Sequence, residues 1–120
     1  MRSLLVLALV LAPATAHADM YAITVEKIVV KTAKGKETND AVEIAAASYS
    51  CNLDNVHPAK GQRFTVWLDG TIEGSKLRTS GRKRGGAPEP VVSCARLVLV
   101  NSTFSSPPGD YRVTATVSFH

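Results

Sequence analysis

Cysteine, histidine and aromatic side chains are all scarce in this chain, and each shortage removes a class of chemistry. Two cysteines and three histidines among 120 residues are too few and too scattered for the His/Cys cluster of a zinc site. Cys51 and Cys94 are also too far apart in sequence to be a redox pair of the Cys-x-x-Cys kind. Aromatic residues make up 6% of the chain, and none falls within 76–84, its most basic stretch. Base stacking on single-stranded nucleic acid would need one there, so nucleic acid is not an expected partner. Beyond the N-terminal segment, no apolar run approaches the ~20 residues of a membrane-crossing helix.

Catalytic constellations are missing too. Hydrolysis by a nucleophilic side chain needs a nucleophile, a base and an orienting group. His120 is terminal, and His57 lies in a polar loop beside Asp54 and Pro58 with no serine in a nucleophile setting. His57 therefore reads as a solvated loop histidine, and the chain is not expected to be an enzyme. Asn52-Leu-Asp54-Asn55 opens like a calcium loop, but Arg63 stands where the closing bidentate glutamate belongs. Gly81-Arg-Lys-Arg-Gly85-Gly86 lacks the Gly-Lys-Ser/Thr ending of a phosphate loop. No catalytic residue, metal or cofactor is expected.

What is present begins with an address. Met1-Arg2, the apolar run Leu4 to Ala12 and the small-residue site ending at Ala18 have the three-part layout of a secretory signal peptide. Cleavage before Asp19 would leave residues 19–120, enough for a single domain. That domain is expected in the periplasm or outside the cell. The formal charge is modest, +4 for the whole chain. In an exported chain two cysteines are most simply a disulfide, here Cys51 to Cys94.

The rest reads as strands. Val91 to Val100 is apolar, rich in β-branched residues and bounded by glycines and prolines, which predicts a central covered strand. Tyr111, Val113, Ala115, Val117 and Phe119 alternate with polar residues as a strand with one wet face. From Met20 to Thr32 the alternation slips, and a bulge near Glu26-Lys27 would return Tyr21, Ile23, Val25, Ile28 and Val30 to one side. Residues 40–49 are ambiguous: Asp40 and Glu43 suggest a capping box, whereas Val42, Ile44 and Ala46 share a strand face, the reading adopted. Arg63 to Leu68 predicts a strand closed by a turn at Asp69-Gly70, with Glu73-Gly-Ser75 as a rival turn. Lys76 to Glu89 reads as a long exposed loop. Asn101-Ser-Thr103 matches the glycosylation acceptor pattern and is read as a turn.

Short strands, turn signals and one bridge predict an all-β protein, an antiparallel β-sandwich. Phe64-Thr-Val-Trp-Leu-Asp-Gly-Thr-Ile-Glu-Gly-Ser75 resembles the strand–Asp-Gly–strand segment of bacterial immunoglobulin-like adhesion modules. Pro108-Gly-Asp-Tyr-Arg-Val-Thr-Ala-Thr-Val-Ser-Phe119 is similar to their late strand. The order Cys51, Trp67, Cys94 also resembles antibody-type domains, although the cysteines are closer together here and Val92 replaces their tyrosine. The resemblance implies an immunoglobulin-like architecture and no particular activity.

One local feature stands above this background. Lys76, Arg78, Arg82, Lys83 and Arg84 cluster with no acid between Glu73 and Glu89. Such a cluster attracts anionic polymers and head groups, although a solvated charge run is the commoner meaning. The expectation is a non-catalytic binding or structural module, contacting an anionic envelope polymer, a lipid head group or another protein. The alternative is an inhibitor of an extracellular or periplasmic hydrolase that inserts the same loop into its target.

Overall fold

The computed structural model describes residues 20–38, 42–44 and 49–120, and residues 80–82 by their backbone alone. The expected signal peptide, 1–18, lies outside the described residues, as do 40–41 and 45–48 of the ambiguous stretch. The described elements are β1 (Met20–Thr32), β2 (Tyr49–Asn52), β3 (Arg63–Glu73), β4 (Lys76–Gly85), α1 (Glu89–Asn101) and β5 (Gly109–Phe119).

The strands form one antiparallel sheet in the order β2-β1-β5-β3-β4. β5 is its middle, and the alternation expected there holds: Tyr111, Val113, Ala115, Val117 and Phe119 are all buried. β1 carries the expected bulge, since Val25 pairs with Val117 but Lys27 already with Thr116. Glu26 is the extra residue. Its insertion restores Ile23, Val25, Ile28 and Val30 to the face that β5 buries, opposite Phe119, Val117, Ala115 and Val113.

The stretch predicted as the central strand is α1. Topology explains why. β4 and β5 both run antiparallel to β3 and so are parallel to each other, with β3 between them. Parallel strands need a crossover, usually a helix. Glu89 and Pro90 suit a first helical turn, where a missing N–H costs nothing and an acid meets the positive end of the dipole. Val91 and Val92, Cys94 and Ala95, Val98 and Leu99 are the buried residues. Pairs recurring every three to four positions define a helical stripe. The other end is closed by side chains: Ser102 Oγ donates to the Val98 carbonyl at 2.7 Å, and Asn101 Nδ2 to that of Leu97 at 2.7 Å. Asn101 is thus the last residue of the helix rather than part of a turn.

α1 packs on β3, β4 and β2 and covers one face of the sheet. Val66, Leu68, Ile72, Leu77, Leu53 and Phe104 complete the core between the layers. Each fully buried aliphatic side chain contributes roughly 1.5–3 kcal/mol by removal from water. The second layer is therefore a helix, where the sandwich expectation had a second sheet. The two stretches that resemble adhesion modules are β3 with its turn and β5, which are neighbours in this one sheet.

The basic stretch is not a loop. β3 runs straight through Asp69 and Gly70, pairing them with Arg112 and Tyr111 of β5, and turns at Gly74–Ser75. Both turn residues have positive φ, 57° and 66°, as a two-residue hairpin linking right-twisted strands requires. Gly70 is needed for a different reason, since a Cβ there would collide with the Arg78 carbonyl oxygen of β4. β4 then leaves the ladder after Thr79 and rejoins at Arg84, while β3 passes only from Gly70 to Leu68. This bulge makes an edge strand a poor template for further pairing.

Cys51 of β2 and Cys94 of α1 form the expected disulfide, with Cα atoms 5.8 Å apart. It fastens the shortest edge strand to the helix. Among the described residues, no helix is long and apolar enough to cross a membrane.

Candidate anion-binding site

The four basic residues whose side chains are described, Lys76, Arg78, Lys83 and Arg84, have different partners. Lys76 reaches the end of α1, where Nζ donates to the Asn101 carbonyl at 3.1 Å and approaches Thr103 Oγ1 at 3.3 Å. There it neutralises the negative end of the helix dipole, a service no basic residue in the last turn supplies. Arg84 pairs with Glu89 in the first turn of α1. Both therefore stabilise the helix–sheet contact. The Arg82 side chain lies outside what is described.

Arg78 and Lys83 instead line a groove of about 830 Å³ together with residues from three other strands. Lys31 enters from β1 and Arg112 from β5; Asp69 and Thr71 come from β3, and Asp110 from β5. Backbone pairing sets this order, because Lys31 is opposite Arg112, Arg112 opposite Asp69, and Thr71 opposite both Asp110 and Arg78. Lys31, Arg78 and Lys83 are exposed and form no ion pair among the described residues.

Arg112 is the fixed centre of the groove. Its Nε and Nη2 donate to the two Asp69 carboxylate oxygens at 2.6 and 2.8 Å, and its guanidinium lies 4.2 Å above the centroid of the Trp67 ring. Bidentate pairing and stacking restrain the side chain together. Thr71 Oγ1 donates to Asp110 Oδ1 at 2.8 Å and holds the second carboxylate.

The hydrogen bonds from Arg112 hold the Asp69 carboxyl below its ordinary 3.8; partial burial opposes this, and the charges of Arg112 and Lys83 reinforce it. A carboxylate whose value is depressed by folding stabilises the fold above the unfolded value and ceases to do so as pH falls through the folded one. The stability gap between wild type and Asp69→Asn is therefore expected to be full above the ordinary carboxylate value of 3.8 and to narrow as pH falls below it. Urea midpoints for both proteins across that range measure it, and a gap independent of pH would remove the assigned role.

His57 is exposed, and Tyr21 Oη lies 3.4 Å from its Nδ1. The would-be calcium residues form a turn, with Asn52 Oδ1 accepting from the Asp54 N–H at 3.0 Å. No family model, curated protein or solved structure matches the chain.

Proposed function

We propose that this chain is an exported, non-catalytic binding module that leaves its compartmental signal behind at residues 1–18 and contacts an anionic component of the cell envelope through the basic segment 76–84. The observation that carries the reading is the convergence of Arg78 and Lys83 with Lys31 and Arg112 in one groove. Arg112 is paired with Asp69, but Lys31, Arg78 and Lys83 form no ion pair among the described residues, and cations gathered in a cleft raise the local concentration of anions. The buried disulfide fits an oxidising compartment. The likeness to adhesion modules accords with a scaffold whose work is contact rather than turnover. The inhibitor reading relied on an exposed loop at 76–89, and β4 occupies most of that segment, so the anionic reading is preferred.

The test is retention at low salt on immobilised polygalacturonate and on phosphatidylglycerol vesicles. Each basic residue engaged is worth ~1 kcal/mol, or about fivefold in affinity. Arg78→Ser/Lys83→Ser should lower retention about 25-fold, whereas Arg84→Ser, which removes a pair with Glu89 outside the groove lining, should leave it nearly unchanged. Equal retention of wild type and the double variant refutes the reading.

A further inference from the structure

We infer that the groove on the open face of the sheet takes an anionic oligosaccharide with spaced charges, held by Lys31, Arg78, Lys83 and Arg112 through its acidic groups and by Asp69 and Asp110 through its hydroxyls. The inference rests on the anionic reading above and narrows it in two ways.

The first is shape. The lining residues come from four strands and border a half-open concavity of about 830 Å³, a volume in the range of small-ligand sites. A bilayer surface is broad and touches protruding groups, so a recess spread across β1, β5, β3 and β4 suits a short chain molecule better.

The second is the pattern of charge. Two carboxylates stand among four cations. Asp69 stays ionised against Arg112, and Asp110 accepts a hydrogen bond from Thr71. A uniformly charged polyanion laid along the groove would meet both carboxylates as like charges. A sugar chain bearing carboxylates or sulfates at intervals presents hydroxyl donors between them, and an ionised carboxylate has acceptor positions left after one or two hydrogen bonds. Arg112 joins the two kinds of contact, since Asp69 and Trp67 fix its guanidinium in place before any ligand arrives. Such preorganisation lowers the entropic cost of binding.

Trp67 is the chain's single tryptophan, so its emission reports on the Arg112 stack. The experiment titrates the oxidised protein with tetragalacturonate, with maltotetraose as the neutral chain of equal length, and with phosphatidylglycerol vesicles. Tetragalacturonate should bind, shift the emission and weaken with salt. Maltotetraose should bind at least about 25-fold more weakly, the loss expected for two ionic contacts at about fivefold each. Lys31→Ser, remote in sequence from 76–84, should weaken the uronate about fivefold, and Lys60→Ser, an exposed charge outside the groove, should not.

Vesicle binding without tetragalacturonate binding sinks the saccharide inference and leaves the anionic reading standing. Binding of neither probe sinks both. Equal affinity for the neutral and charged sugars, or equal effects of Lys31→Ser and Lys60→Ser, places the ligand elsewhere and also overturns the inference.

Discussion

Reduction of the Cys51–Cys94 bridge is expected to lower the melting temperature by roughly 15–30 °C, the largest single effect in this molecule. The two residues are 43 positions apart, and closing a loop of that length is worth about 4 kcal/mol in the chain-entropy model. A domain of ordinary stability has roughly 5–15 kcal/mol in total. The loss should also be uneven. β2 has four residues and pairs with β1 alone, whereas β5 is held along its length by β1 on one side and β3 on the other. Without the bridge, amide exchange should therefore accelerate first in β2 and in the turn after Leu53, before the central ladder opens. Thermal melts with and without dithiothreitol test the first part, and exchange of the reduced protein tests the second. A native protein whose thiols are already open to alkylation, and whose melt ignores reductant, is incompatible with both.

The elements legible in the sequence are those whose signal is local. In β5 each residue's face follows from parity alone, and in β1 a single slipped position announces the bulge at Glu26. The bridge follows from the expected export and the cysteine count. What could not be read depends on partners distant in sequence. Four valines in Val91–Val100 argue for a strand on propensity, but the need to cross from β4 to β5 over β3 outweighs it. A helical signal was nonetheless there: Ser93 and Arg96 interrupt the apolar run, and Glu89-Pro90 suits a helix start. In the hairpin, Asp69-Gly70 has the better turn composition, yet continuous pairing with β5 carries β3 further, to the turn at Gly74–Ser75.

The candidate site was legible only in part, for the same reason. A run of basic residues implies one patch only if it is a loop; in β4 the hairpin end and the bulge between Thr79 and Arg84 send its members to different partners. Lys76 and Arg84 are consequently engaged by the two ends of α1, while Arg78 and Lys83 remain for the groove. Lys31 and Arg112, which complete it, are brought together by a β1–β5 pair separated by most of the domain. Nothing near either residue in sequence marks it, and Asp69 was expected to sit in a turn.

Leucine substitutions in α1 offer the second large effect, and they separate helix from strand directly. Leu99→Ala is expected to cost about 2–5 kcal/mol, because Leu99 is fully buried and truncation leaves a cavity in a close-packed interior. Leu97→Ala is expected to change stability by no more than about 0.5 kcal/mol, since Leu97 is 49% exposed. In a strand these residues, two apart, would share a face and respond alike. In a helix they lie about 200° apart and need not. Val98 supplies the complementary case: it neighbours Leu99 and is as deeply buried, so Val98→Ala should also destabilise, whereas a one-sided strand would expose one of two adjacent residues. Urea denaturation of the three oxidised variants gives the ranking. Similar losses for Leu97→Ala and Leu99→Ala would contradict the helix, and with it the crossover that makes β4 and β5 parallel.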